Sequence, residues 1–97
     1  MKIDHARLLS DLHRLAQFGK VGTGVNRLSF GPEDQEARQW LLQQMRGAGL
    51  DAVIDGIGNV YGRTKGVEHA VLIGSHTDSV PKGGWLDGAM GVLYGLE

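Results

Sequence analysis

The stretch "HAVLIGSH", residues 69–76, sets the tightest limit on what this chain can fold into. Ala70, Val71, Leu72 and Ile73 follow one another with no polar residue between them. A strand with one wet face alternates apolar and polar side chains, whereas a strand covered on both faces is apolar throughout. The run therefore predicts the central strand of a helix-covered sheet. It is far too short to span a bilayer, which takes about 20 apolar residues.

The flanking patterns supply helices for such a sheet. Residues 4–18, "DHARLLSDLHRLAQF", predict an amphipathic helix with Leu8, Leu12 and Leu15 at helical spacing and Leu9, Ala16 and Phe18 widening the stripe. Asp4 suits the N-cap and Gly19 the stop. Residues 20–31, "KVGTGVNRLSFG", read as a loop broken by Gly22 and Gly24. Its "GTGVNR" lacks the third glycine and the preceding strand of a phosphate-cradling fingerprint. The clearest helix is "PEDQEARQWLLQQMRGAGL". Pro32 fits its first position, and Glu33, Asp34 and Glu36 complement the positive end of its dipole. Ala37, Trp40, Leu41, Met45 and Ala48 are its expected buried stripe, with Gly47 and Gly49 ending it and Leu50 packing behind the cap.

Then comes a hairpin, "DAVIDGIGNVYGRTKG". Ala52–Ile54 and Asn59–Arg63 are its strands and residues 55–58 its turn. After the aliphatic run, "GAMGVLYGLE" opens another helix with Ala89, Val92, Leu93 and Leu96 on one face. Gly88, Gly91 and Gly95 would let that helix pack closely, at about 1 kcal/mol each against alanine. The order helix, helix, hairpin, strand, helix points to an α/β sandwich. The last helical pattern is still running at Glu97, so the expectation is an incomplete domain, the opening of a sandwich rather than the whole.

Composition narrows the function classes. Ten Lys and Arg against eleven Asp and Glu give a formal charge of −1, which excludes a polybasic nucleic-acid or anionic-membrane binder. The absence of cysteine excludes disulfides, thiolate zinc sites and cysteine nucleophiles, and fits a cytoplasmic protein. The start, "MKIDHARLLSDLHRL", lacks the unbroken apolar core of a secretory signal.

What remains is the loop "GSHTDSVPKGGWLDG", residues 74–88. His76 ends the expected strand, at the sheet edge where open α/β folds bind ligands. His76 and Asp78 are two residues apart, so on an extended backbone both side chains take one face. A carboxylate there can accept a hydrogen bond from one imidazole nitrogen and leave the other for a metal. Asp87 lies eleven residues after His76, and Pro81, Gly83 and Gly84 let the chain turn back toward it. Its two oxygens can bridge cations about 3.5–4 Å apart. His5 and His13 lie on the first helix among charges and His69 precedes the strand, so none of the three is expected to be a ligand. Ser75 points away from His76; Ser79 stays open as a nucleophile, though no nucleophile elbow marks it. Trp85 is expected to pack within its loop, and Arg63 and Lys65 to be solvated.

These residues resemble the amidase, hydantoinase/carbamoylase family: N-carbamoyl-L-amino-acid hydrolases, with allantoate amidohydrolase and β-ureidopropionase as relatives, in the two-metal aminoacylase and carboxypeptidase superfamily. "GSHTDSVPKGGWLDGAMGVLYGLE" resembles the family's metal-site segment. "TGVNRLSFGPEDQEARQWLLQQMRGAGLDAVIDGIGNVYGR" resembles its N-terminal region, including the Arg-Leu pair and the "GN" hairpin. The resemblance implies that residues 1–97 are the N-terminal segment of a three-layer α/β/α catalytic domain. It gives His76 to one metal, Asp87 to a bridge between two, and Asp78 the task of orienting His76. It implies two divalent ions, zinc or else manganese, cobalt or nickel, a small ureido or carbamoyl amino-acid substrate, and a homodimeric parent. The peptide after the bridging aspartate is often cis, which marks Asp87–Gly88. The family's glutamate base and remaining ligands would lie beyond Glu97, so the 97 residues alone are expected to be inactive. The other readings are an aminopeptidase or aminoacylase of the same superfamily, and a non-catalytic remnant or interaction module.

Overall fold

A computed structural model describes residues 2–97. The chain divides into two compact units, one made of the residues up to Ala37 together with Ile73–Glu97, the other of Arg38–Leu72. Helix α1 runs His5–Ala16 and α2 runs Pro32–Gly47; α3 runs Ala89–Leu96. Four short strands, β1 (Lys20–Val21), β2 (Gly24–Val25), β3 (Asp51–Ile54) and β4 (Val60–Arg63), form two separate antiparallel pairs, β1–β2 and β3–β4. No helix among the described residues is long and apolar enough to cross a membrane.

In the first unit α1 packs on α3. Asp4 caps α1, its Oδ1 accepting the Arg7 N–H at 3.0 Å. Leu12, Leu15 and Ala16 are buried, as are Ala89 and Leu93 of α3. Leu9 departs from the expected stripe and is 56 % exposed, because it falls outside the arc that α3 covers. Arg7 joins the two helices through its Nε and Nη2, 2.9 and 2.6 Å from the Glu97 carboxylate, which also accepts the Asp4 N–H at 3.0 Å. The hydrogen bonds from Arg7 hold the Glu97 carboxyl below the usual carboxylate range. The expected loop at 20–31 contains the small β1–β2 ladder, turned at Gly22–Thr23. Val25 is then bonded on its other side to Gly83, N to O and O to N, both at 2.9 Å.

The second unit holds the later part of α2 and the β3–β4 hairpin. Leu41 and Leu42 are buried. Leu42 was not in the expected stripe, and Ala48, which was, is exposed because the helix has already ended at Gly47. The end is a Schellman cap: Leu50 N–H bonds the Met45 carbonyl and Gly49 N–H the Arg46 carbonyl, at 3.1 and 3.0 Å, with Gly49 at φ +88°. β3 and β4 pair Asp51 with Arg63 through Ile54 with Val60, in the expected hairpin. Arg63 donates to the carbonyls of Val67 and Glu68 rather than lying free in solvent.

Asp55 organises the hairpin turn. Its Oδ1 accepts the N–H groups of Ile57 and Asn59 at 3.0 and 2.8 Å, and its Oδ2 the Asn59 side-chain amide at 3.1 Å. Desolvation works against the charge, but these hydrogen bonds outweigh it and hold the Asp55 carboxyl below its ordinary value. A carboxyl depressed by folding stabilises the fold above its unfolded pKa and loses that contribution as pH falls through its folded pKa. The Ile57 and Asn59 amide resonances should therefore shift with a midpoint below the ordinary aspartate value of about 3.9. A midpoint at or above that value in an NMR titration would contradict this account of the turn.

The aliphatic run is the main correction. Residues 70–80 carry no strand, and Val71, Leu72 and Ile73 are 91, 84 and 65 % exposed. A strand is buried on both faces only when neighbouring strands and two helix layers surround it. Among the described residues no strand pairs with this segment. The helix–helix–hairpin–helix order stands; the three-layer sandwich is not assembled within these residues.

Candidate metal centre

The site is built from the inside out, starting at Arg27. This side chain is only 1 % exposed. Its Nη1 donates to the carbonyls of Leu15 and Phe18, at 2.9 and 2.8 Å, and its Nε to the Thr77 carbonyl at 2.6 Å. Leu15 lies in the last turn of α1 and Phe18 just past it, at the helix end, where the dipole favours a cation; the Leu15 carbonyl also accepts the Phe18 N–H at 3.2 Å. Burial lowers the Arg27 pKa, and the charges of Asp34 and Asp78 oppose that shift. A guanidinium stays protonated under such a shift. The backbone beside it is clamped as well. Ser79 N–H bonds the Arg27 carbonyl at 2.7 Å, while Ser79 Oγ accepts the Arg27 N–H at 2.9 Å and donates to the Val25 carbonyl at 3.0 Å. Residues 25–29 thus lie along residues 77–79 as a fixed mount. The Ser79 hydroxyl is engaged in this mount through both bonds.

On that mount sit the three residues singled out from the sequence. His76 Nδ1 is 3.1 Å from Asp78 Oδ1 and 3.1 Å from the Asp78 carbonyl. Ser29 Oγ donates to Asp78 Oδ2 at 2.9 Å. On the other side of the ring, His76 Nε2 is 3.6 Å from Asp87 Oδ2. Asp78 and Asp87 therefore face opposite nitrogens of one imidazole. They cannot share an ion, and no group of three His, Asp or Glu side chains that could hold a metal occurs among the described residues. What exists is a pair, His76 Nε2 and Asp87 Oδ2, with Asp78 behind.

The pair is not in hydrogen-bond contact. At 3.6 Å it is longer than a good hydrogen bond. Two bonds of about 2.0–2.1 Å to one tetrahedral ion hold their donor atoms about 3.4 Å apart. One imidazole nitrogen and one carboxylate oxygen are also the donor types that borderline divalent metals take. Asp87 is open to solvent, with its side chain 84 % exposed, so its second oxygen is available.

Gly88 makes the approach possible. It adopts φ +70°, ψ −51°, and Ala89 N–H bonds the Asp87 carbonyl at 2.8 Å, closing a γ-turn of the rare positive-φ kind. A Cβ at this position would lie 2.4 Å from His76 Cε1 and 2.5 Å from both its Nδ1 and its carbonyl oxygen. Farther along α3, a Cβ at Gly91 would stand 2.9 Å from Ser75 Oγ, and one at Gly95 3.0 Å from Ile73 Cδ1. The expected glycine stripe does bring this helix close, but against an extended segment rather than a strand. The Asp87–Gly88 peptide is trans, contrary to the cis bond that the resemblance suggested. Trp85, two residues before Asp87, stacks on His13 with centroids 5.3 Å apart, which gives that histidine a packing role. Arg27 and Ser29 were not foreseen as parts of this site. A lone arginine after "GVN" reads as surface, and only the Arg-Leu pair of the family resemblance touched it.

No family model matches the chain. It is 38 % identical over 99 residues to the N-carbamoyl-L-amino-acid amidohydrolase of Paenarthrobacter aurescens, covering 99 % of this chain and 24 % of that protein. It is 44 % identical over 83 residues to the allantoate amidohydrolase of Escherichia coli (strain K12), covering 81 % of this chain and 20 % of the relative. The crystal structure of a hydantoinase/carbamoylase family amidase from Burkholderia phymatum superposes with a TM-score of 0.95 at 57 % identity, over 99 % of this chain and 24 % of that one. The relatives of this chain are thus carbamoyl and allantoate amidohydrolases and a hydantoinase/carbamoylase family amidase. The chain spans about a quarter of the length of these relatives. Its mixed helix–strand architecture matches that part of a carbamoylase-type fold, with the His76, Asp78 and Asp87 region inside the matched span.

Proposed function

We propose that this chain forms part of the catalytic domain of a metal-dependent amidohydrolase that cleaves non-peptide C–N bonds, acting on an N-carbamoyl-L-amino acid or a similar ureido acid. The observation that carries the reading is the facing pair His76 Nε2 and Asp87 Oδ2, 3.6 Å apart, within the span shared with carbamoylase-type relatives. In this reading His76 and Asp87 are the residues of this chain that would hold a divalent ion. Zinc suits the donors, as do manganese, cobalt and nickel. When bound, such an ion supplies Lewis-acid polarisation of the scissile carbonyl and a nucleophile at neutral pH.

The chain's own residues prepare that site. Asp78 accepts a hydrogen bond from Nδ1–H, which keeps the proton on that nitrogen and leaves the Nε2 lone pair directed outward. Arg27 fixes the backbone at Thr77, and Gly88 leaves room for the ring. A general base and further ligands would come from outside residues 1–97, which this reading makes the N-terminal segment of the domain. The proposal extends to a cytoplasmic, homodimeric parent with a small-molecule substrate; the relatives that act on N-carbamoyl-L-amino acids and allantoate support the substrate class.

A chimera tests it. This chain replaces the matching segment of the Paenarthrobacter aurescens relative, and ammonia release from an N-carbamoyl-L-amino acid is measured. The chimera should turn over, and His76→Ala or Asp87→Ala within it should each lower kcat/KM at least about a hundredfold. A folded chimera whose activity is indifferent to both substitutions would refute the assignment.

A further inference from the structure

We propose that Ser29 is a positioning residue for the His76–Asp78 pair, holding the Asp78 carboxylate so that one oxygen faces the imidazole; this rests on the reading of His76 as a ligand through Nε2. The terminal torsion of an aspartate is broad, so a carboxylate at a half-open site turns unless both oxygens are engaged. The Asp78 side chain is 39 % exposed. Its Oδ1 lies 3.1 Å from His76 Nδ1, and its Oδ2 accepts the Ser29 hydroxyl at 2.9 Å. Ser29 is thus bonded to the side of the carboxylate that His76 does not use.

The mount behind Ser29 is what gives this contact its force. Ser29 is exposed, but it sits two residues from the buried Arg27, whose guanidinium ties the end of α1 to Thr77. Two further bonds, Ser79 N–H to the Arg27 carbonyl and Arg27 N–H to Ser79 Oγ, lock the two segments in register. Ser29 and Asp78 are therefore carried by backbone that cannot slide. The Asp78 carbonyl, also 3.1 Å from Nδ1, is a second acceptor for the same proton. Without the hydroxyl it is the only acceptor left in a fixed place, and the carboxylate is free to turn to water.

The readout is the tautomer of neutral His76, followed by nitrogen-15 NMR of the imidazole in the metal-free 97-residue chain. The native chain should carry the proton mainly on Nδ1. Ser29→Ala should lower the ratio of Nδ1–H to Nε2–H by about threefold, the scale of one net hydrogen bond. Ser29→Thr, which keeps the hydroxyl, should restore it, and thermal unfolding of both variants should match the native chain because Ser29 is exposed. An unchanged ratio in Ser29→Ala, or a native ring protonated mainly on Nε2, would overturn the proposal. The tautomer is read without metal, so its response to Ser29→Ala supports the positioning role even if zinc fails to bind, an outcome that would overturn the metal reading alone.

Discussion

Gly88→Ala is expected to destabilise the chain by about 3 kcal/mol and to push the His76 ring out of place. Two effects add. A side chain at a strained positive-φ position costs roughly 1–3 kcal/mol. Forcing a methyl into filled space costs about as much again, and here one of the obstructing atoms is the His76 carbonyl oxygen, 2.5 Å from the new Cβ, which belongs to the backbone and cannot swing aside. In a chain of this size the loss should lower the midpoint of thermal unfolding by about 15 °C. Gly95→Ala is the matched comparison. There the obstruction is Ile73 Cδ1, the far end of a side chain that is 65 % exposed. The substitution should be neutral or slightly stabilising, since alanine favours a helix by about 1 kcal/mol. Equal unfolding midpoints for the two variants would contradict the geometry described for Gly88.

Arg27→Ala should be the more damaging still, at about 3–5 kcal/mol. It removes the donors to three carbonyls, those of Leu15, Phe18 and Thr77, and leaves a hole where a long side chain was buried. A protein of this length holds only about 5–15 kcal/mol in total, so much of the margin goes with one residue. Arg27→Lys keeps the charge but not the planar fork, and an ammonium on a single stem does not reproduce donors placed on both Nε and Nη1. It should recover less than half of the loss. Urea unfolding followed by far-ultraviolet circular dichroism measures both. A lysine variant as stable as the native chain would mean that charge alone, not the three-way hydrogen bonding, is what this position supplies.

Much of the local structure was legible because it follows from short-range chemistry. The Asp4 cap, Pro32 at the start of α2, the Gly49 cap with Leu50 behind it and the 51–63 hairpin each depend on a few neighbouring residues. The facing of His76 with Asp78 was legible for the same reason, since extended backbone puts alternate side chains on one side. Position across the fold was harder to read. The run at 70–73 has the composition of a buried strand, but burial is a property of what surrounds a segment; among the described residues no strand pairs with this one, and Val71 and Leu72 are left exposed. Arg27 shows the reverse case. A charged residue reads as solvent-facing, and only the convergence of α1 and the 77–79 segment turns it into the buried centre of the site. The small β1–β2 ladder escaped notice because its strands are two residues each, too short for alternation to register.

The division of the chain has a consequence for the order of events during synthesis. The unit that carries the candidate centre is written in two instalments, with Arg38–Leu72 between them. Its internal bonds join residues far apart in the chain, such as Arg27 and Ser79 at a separation of 52. As the polypeptide leaves the ribosome, the interposed hairpin has all its partners first, while Arg27, whose Nη1 acceptors at Leu15 and Phe18 precede it, lacks the acceptor of its Nε until Thr77 emerges. The centre can thus close only after the stretch that interrupts its unit has been made.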